Sequence, residues 1–116
     1  AIRAITGESP QLFRPPHGFR SPWLMKTLAS KGYQVVTWDN MTNDWEALKP
    51  AKEIVNEIVR GASSGGILVL HDGRSSREHY DREQMLFALP EIISTLKSKG
   101  FAFVTVPELI RSADIS

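Results

Sequence analysis

The sequence predicts an α/β domain in which about four parallel strands alternate with helices. Two patterns predict this fold. Short apolar or β-branched runs stop abruptly at polar residues, and between them lie segments whose apolar positions recur every three or four residues. The connections between these segments are short, and such alternation favours a parallel sheet with right-handed crossovers.

Composition places the chain in one broad class. It has 116 residues, a formal net charge of +1 at pH 7, 41% apolar residues and no cysteine, as expected of one small domain. No apolar run approaches the ~20 residues of a membrane helix, and no Lys/Arg cluster favours nucleic acid. The lack of cysteine excludes disulfides, Cys-ligated zinc and a thiol nucleophile.

The first strand and helix are marked by prolines. Leu12-Phe13-Arg14 is a short extended run, and Pro15-Pro16 forbids helix in the residue before each proline. Arg14 is therefore predicted at a strand end. Ser21 offers a helix N-cap and is followed by a proline at the first helical position, which predicts a helix over about 22–31.

Further segments follow the same alternation. A second strand is predicted over 33–38, and the polar stretch 39–44 is predicted as a turn-rich loop. From Pro50 the apolar positions describe a one-sided helix: Ala51, Ile54, Val55, Ile58, Val59 and Ala62.

The last third of the chain repeats this order. Residues 67–70 form a continuous apolar run typical of a strand covered on both faces. After a polar loop over 73–80, a second amphipathic helix is predicted over 85–96, with Pro90 as a kink or restart. A fourth strand over 101–106 and a last short helix over 107–110 complete the prediction.

Polar residues collect where the strands end. Arg14, the loop 39–45 and His71-Asp72 all follow strands, so a parallel sheet brings them to one edge, where ligands bind in α/β folds. His71 follows four apolar residues, which suits a general acid, although position alone favours a buried histidine donating to a carbonyl. Asp44 suits an orienting carboxylate or an ordinary turn aspartate.

The remaining polar residues carry less information. Arg14 fits a rigidly aimed guanidinium or a surface ion pair, and Trp45 fits a ligand wall or core packing. Val69 shares the His71 side of its strand and supplies an apolar wall. Asp39 and Asp72 rank lower. His17 and His79 are single loop histidines, so no metal ligand is assigned.

Three motifs stand in a recognisable order: Arg14-Pro15-Pro16-His17-Gly18, then Trp38-Asp39 through Asp44-Trp45, then Gly66-Ile67-Leu68-Val69-Leu70-His71-Asp72-Gly73. They resemble motifs three, four and five of the polysaccharide deacetylase family (NodB-homology domain, carbohydrate esterase family 4). The resemblance extends over nearly the whole chain, from Thr6-Gly7-Glu8 to Val106-Pro107-Glu108-Leu109.

The resemblance implies a fold and an activity. The family is a distorted (β/α) barrel of seven or eight strands that hydrolyses acetyl groups from chitin, chito-oligosaccharides, peptidoglycan or xylan with a divalent metal. Carried over by motif, His71 is the general acid and Asp44 tunes its acid strength. Arg14 orients the catalytic base, and the His17 backbone N–H binds the oxyanion.

The same resemblance implies a substrate-binding wall. Trp45 and Val69 line an acetyl-methyl pocket, and Pro16 joins them as a substrate-binding residue. His17 stands where the family usually has Tyr, and Val69 where it usually has Leu. A backbone contact survives the first difference, and the second widens the pocket by about one methylene, on the order of 1 kcal/mol in binding.

Two family motifs are absent from the chain. Motifs one and two, which supply the base and the metal ligands, lie upstream of the arginine motif, and only 13 residues precede Arg14. The sequence therefore predicts a single partial deacetylase domain over 1–116, the C-terminal part of the barrel. Its missing half is expected in the same parent protein or in a second chain, and the metal (Zn, Co, Ni or Mn) is expected to be bound outside this chain.

The leading hypothesis is thus metal-dependent deacetylation of an N-acetylated polysaccharide by a secreted or envelope enzyme, with the isolated chain inactive. The alternative is a catalytically incomplete carbohydrate-binding or structural remnant of the same fold. A phosphate-binding α/β domain is disfavoured, because Gly65-Gly66 precedes a strand instead of following one.

Overall fold

The computed structural model describes residues 1–46, 49–73 and 82–113 of the chain. These residues form two compact units, Ala1–Thr37 and Trp38–Ser116. No helix among the described residues is long and apolar enough to cross a membrane.

The first unit contains one parallel strand pair. Its elements in chain order are α1 (Ile2–Thr6), β1 (Leu12–Phe13), a 3-10 turn (Pro16–Gly18), α2 (Pro22–Ser30) and β2 (Gln34–Val35). In the β1–β2 pair Leu12 lies opposite Gln34 and Phe13 opposite Val35. The Ser21 side chain accepts a hydrogen bond from the Leu24 backbone N–H at 3.2 Å, and this contact caps α2 as predicted.

The second unit holds a second parallel pair and the longest helices. Its elements are β3 (Asn40–Met41), α3 (Ala51–Gly61), β4 (Leu68–Val69), α4 (Glu83–Ser98) and α5 (Val106–Ala113). In this pair Asn40 lies opposite Leu68 and Met41 opposite Val69. Because the strands are parallel, the residues that follow β3 and β4 leave the same edge.

The core of the second unit lies between α3 and α4. The buried residues are Ile54, Val55 and Ile58 from α3 and Met85, Ala88, Ile92 and Leu96 from α4. Partly buried Leu68, Leu70 and Phe101 pack against this cluster. Both predicted amphipathic helices are confirmed, and Pro90 lies inside α4 on an exposed position instead of dividing it. The apolar core fixes both helices relative to β4, and β4 leads into His71.

Two predictions about strands are wrong. Asn40 and Met41, expected in a loop, form β3 because their backbone pairs with Leu68 and Val69. Residues 101–106, expected as a strand, are irregular until α5 begins at Val106. The N–H of Phe101 donates to the Leu96 carbonyl at the end of α4, and the N–H of Thr105 donates to the Glu108 side chain in α5. These two backbone N–H groups are therefore bonded to helix residues and do not pair with a strand.

An apolar groove adjoins this irregular segment. Its volume is about 630 Å³, and it is bounded by α4, β4 and residues 100–106. Phe103 and Val104 in the segment are 47% and 57% exposed.

Candidate active site

Two loops meet at the edge where β3 and β4 end. The loop after β3 carries Thr42, Asp44 and Trp45, and the loop after β4 begins at His71. Parallel pairing of the two strands makes these loops neighbours, although Asp44 and His71 are 27 positions apart in the sequence.

Asp44 binds His71 at two points. One carboxylate oxygen lies 2.8 Å from the ring Nδ1, and the other accepts the His71 backbone N–H at 2.7 Å. The Asp44 side chain is fully buried, whereas the His71 side chain is 40% exposed. Since a carboxylate only accepts hydrogen bonds, Nδ1 is the donor, and Nε2 is left as the nitrogen for proton exchange.

Trp45 forms one wall beside this pair. Its ring meets the His71 ring edge to face, with centroids 4.9 Å apart and an interplanar angle of 83°. Val69, two residues before His71 on β4, is buried at 8% exposure. The structure thus brings Asp44, Trp45 and His71 into contact, and it places Val69 on the strand that leads to them.

A polar network braces the Asp44 loop against α3. The buried Thr42 hydroxyl donates to the Glu57 carboxylate, which also binds the Lys49 ammonium at 2.6 Å. These hydrogen bonds, first from Lys49 and then from Thr42, hold the pKa of Glu57 below its usual value of 4.5. Glu57 therefore contacts residues on both sides of Asp44, a role that the sequence analysis missed.

Asp39 has a structural role on the same strand pair. Its carboxylate accepts the Ile67 backbone N–H at 2.9 Å, at the opposite end of the pairing from His71. Asp72 is exposed. The lower rank of Asp39 in the sequence analysis agrees with this geometry.

Arg14 lies in the first unit, directly after β1. Its guanidinium donates to the Thr37 carbonyl at 3.2 Å, and the following Pro15 is buried. This bond across the strand pair restricts the side chain, in line with the rigidity that its position before two prolines predicts.

His17 has an unusual backbone conformation. Its φ is 54° and ψ is 14°, the left-handed region, and it is the only described residue other than glycine with positive φ. Such a conformation costs a side-chain-bearing residue about 1–2 kcal/mol and persists only where its surroundings impose it. The His17 ring packs edge to face on the Phe19 ring, with the ring centroids 6.2 Å apart. Pro16, which precedes it, is exposed.

Arg82 is a second residue that the sequence analysis missed. Its guanidinium donates to the Trp45 carbonyl at 3.0 Å and to the Gly73 carbonyl at 2.8 Å. The contact with Trp45 joins positions 37 apart in the sequence, so no local sequence pattern indicates it.

No group of three or more His, Asp or Glu side chains that could hold a metal ion is found in the ranges 1–46, 49–73 and 82–113. The residues described here therefore do not fit a complete metal site. His79, noted in the sequence as a single loop histidine, lies outside these ranges.

Comparisons with known proteins point to one family. The chain is 42% identical over 106 residues to a peptidoglycan-N-acetylglucosamine deacetylase of Bacillus cereus, covering 90% of this chain and 47% of that protein. It is 33% identical to a chitooligosaccharide deacetylase of Azorhizobium caulinodans, covering 82% of this chain and 48% of the relative. The chain is a homologue of carbohydrate esterase family 4 polysaccharide deacetylases.

Solved structures of family 4 esterases share its fold. An acetyl xylan esterase of Clostridium thermocellum with a cobalt ion superposes with a TM-score of 0.73 at 32% identity, over 95% of this chain and 49% of that one. A family 4 carbohydrate esterase of Streptomyces lividans with acetate gives 0.75 at 30% identity, over 90% and 50%. The predicted barrel-type α/β fold is confirmed, because the chain matches about half of such (β/α) barrel domains.

The match covers only part of each relative. This family 4 homologue spans about half the length of the curated relatives named above. No protein-family profile matches it.

Proposed function

We propose that the protein is a hydrolase that removes acetyl groups from an N-acetylated polysaccharide, with peptidoglycan or chito-oligosaccharides as the substrate class. The observation that carries this proposal is the buried Asp44 carboxylate bound to both the ring and the backbone of a half-exposed His71. The names of the relatives supply the substrate class.

His71 acts as the general acid in this proposal. With Nδ1 held by the Asp44 carboxylate, protonation at Nε2 gives an imidazolium that is charge-stabilised at the moment it must form. When the C–N bond of the tetrahedral intermediate breaks, Nε2–H donates its proton to the leaving amine. Amide hydrolysis needs this step, because an unprotonated amine is a poor leaving group.

The apolar residues beside His71 bind the acetyl methyl group. The Trp45 ring and the buried Val69 provide the wall, with Pro16 as a further substrate-binding residue. Apolar walls of this kind would select acetyl over larger acyl groups by size.

Two further roles, taken from the family motifs, are proposed for residues of the first unit. We assign Arg14 to orienting the catalytic base and the His17 backbone N–H to binding the oxyanion. The left-handed backbone at His17 supports its role, because strain of this kind is kept where a backbone group must point in one direction.

A divalent metal completes the proposal, as the cobalt ion in the related esterase suggests. Since the residues described here hold no complete ligand set, the metal ligands and the base are assigned to the remaining half of the barrel. We place that half in the same parent protein or in a second chain, because this chain covers only 47% and 48% of the two relatives. The cell-wall substrates of the relatives support a secreted or envelope location.

The deciding experiment measures acetate release and metal content together. In the full-length, metal-loaded protein, His71→Gln should lower kcat by about 10²-fold or more while the bound metal stays stoichiometric. Lys99→Gln, at the exposed end of α4, is the matched control and should keep full activity.

Two outcomes would replace this proposal. A His71→Gln variant with nearly full turnover would remove the general-acid role. Retention on insoluble chitin or peptidoglycan with no acetate released in zinc, cobalt, nickel or manganese would favour the carbohydrate-binding module.

A further inference from the structure

One arginine joins the two loops that carry the candidate catalytic pair. The Arg82 Nη1 donates to the Trp45 carbonyl at 3.0 Å, and Nε of the same guanidinium donates to the Gly73 carbonyl at 2.8 Å. Trp45 directly follows Asp44, and Gly73 lies two residues after His71. The guanidinium therefore bridges the same two loops that the Asp44–His71 bonds connect.

This bridge is anchored in the core. Arg82 immediately precedes α4, whose first buried residues, Met85 and Ala88, pack against α3. The residue lies at the positive end of the helix dipole, where a cation is unfavourable. The two carbonyl acceptors offset part of this cost, since hydrogen bonds from a charged donor are stronger than neutral ones.

The two contacts fix a geometry that His71 needs. The edge-to-face packing of Trp45 on the imidazole, at 4.9 Å, depends on the distance between the loops. Arginine holds two acceptors at a fixed spacing and angle because its donors are coplanar, whereas lysine offers a single charged point. Small displacements of catalytic groups cost large factors in rate.

We propose that Arg82 is a positioning residue for the deacetylation reaction, setting the separation of the Trp45 loop and the His71 loop through two backbone carbonyls. The proposal rests on the proposed function for its kinetic consequence. The other part of the proposal, that Arg82 sets the environment of the His71 ring, can be tested without any measurement of activity.

The test compares Arg82→Lys with Arg111→Lys in the full-length, metal-loaded protein. Arg111 is exposed in the last turn of α5 and serves as the matched control. We expect Arg82→Lys to lower kcat about tenfold or more, with KM on a chito-oligosaccharide changing less than about threefold. Its thermal midpoint should stay near that of Arg111→Lys, which should be fully active.

A second readout needs no activity. With ¹⁵N-labelled histidine, the Nδ1–H signal of His71 is identified by its loss in His71→Gln. We expect Arg82→Lys to shift or broaden this signal and to speed its exchange with solvent, while Arg111→Lys leaves it unchanged.

The outcomes separate the two proposals. If the unsubstituted protein releases no acetate, the proposed function fails, and the histidine signal alone decides the role of Arg82. An unchanged signal together with unchanged kcat would overturn the positioning role. Activity that falls only in proportion to the folded fraction would overturn it as well, because Arg82 would then serve stability alone.

Discussion

At the scale of single residues, Asp44 is distinguished by binding one partner twice. Its buried carboxylate accepts both the ring N–H and the backbone N–H of His71. A buried charge is tolerated only when hydrogen bonds compensate its lost hydration. Holding His71 by both its ring and its backbone restricts freedom that a catalytic group would otherwise lose during the reaction.

Replacing the Asp44 carboxylate should distinguish the effect of its charge on activity from the effect of its shape. Asp44→Asn keeps the size of the side chain but removes the charge that stabilises an imidazolium, and we expect kcat for acetate release to fall by about 10²-fold or more. Asp39→Asn is the control, because Asp39 also accepts a backbone N–H, from Ile67, away from His71. Equal losses in the two variants would refute a specific role for the Asp44 charge.

The close packing at Gly61 leads to a prediction about stability at the same scale. A Cβ at Gly61 would lie 2.7–2.8 Å from side-chain atoms of Asn40, and the Asn40 amide donates to the Ile58 carbonyl at 2.7 Å in a buried position. Gly61→Ala should therefore lower the free energy of unfolding by about 1–3 kcal/mol, measured by chemical denaturation. Gly73, where a Cβ meets nothing within 4 Å, provides the control substitution Gly73→Ala, which should be nearly neutral.

At the scale of elements, Glu57 connects α3 to the loop that carries Asp44. The carboxylate binds Lys49 and Thr42, on either side of Asp44 in the sequence. The helix thus contributes its apolar face to the core and one polar side chain to the loop. Sequence periodicity reveals only the apolar face.

The Glu57 contacts predict a pH dependence of stability. Because its pKa in the folded protein lies below the usual 4.5, its stabilising contribution is complete above about pH 4.5 and is lost as the pH falls through the lowered pKa. Glu57→Gln should flatten the decrease in stability below pH 4.5, measured by denaturation at several pH values. Glu53→Gln, on the exposed side of α3, should leave that decrease unchanged.

The predictability of the elements follows from the range of the interactions that form them. α2 was predicted from Ser21 and Pro22, and α3 and α4 from their apolar periodicity, because these signals lie within a few residues. The prediction of a strand at 101–106 is wrong because a strand needs a neighbouring strand to pair with. Local propensity says nothing about whether such a neighbour is present. The Arg82 and Glu57 contacts also join distant segments, so only the structure reveals them.

At the scale of the whole molecule, the apolar groove beside residues 100–106 matches the partial coverage of the relatives. Phe103 and Val104 are exposed next to it, and the chain accounts for 47% of the Bacillus cereus relative. We interpret the groove as a surface that the rest of the barrel covers. The contact of Asp44 with His71 was predictable from family motifs, whereas how Arg14 and His17 act with that pair stays a prediction.

This interpretation predicts a difference between the chain alone and the full-length protein. The isolated 116 residues should release no acetate from chito-oligosaccharides in zinc, cobalt, nickel or manganese, because the described residues offer no complete metal site. The full-length protein should be active under the same assay. Acetate release by the isolated chain at a comparable rate would show that the missing half is not required.

The hydrogen bond from His71 Nδ1 to Asp44 also determines how this imidazole reacts with electrophiles. Nδ1 is occupied by a buried carboxylate, whereas 40% of the His71 side chain faces solvent. An acylating reagent such as diethyl pyrocarbonate should therefore attach at Nε2 alone, giving a single regioisomer and blocking the nitrogen that exchanges protons. Covalent labelling of His71 is thus expected at one ring nitrogen only, because the hydrogen bond to Asp44 makes Nδ1 unavailable to the reagent.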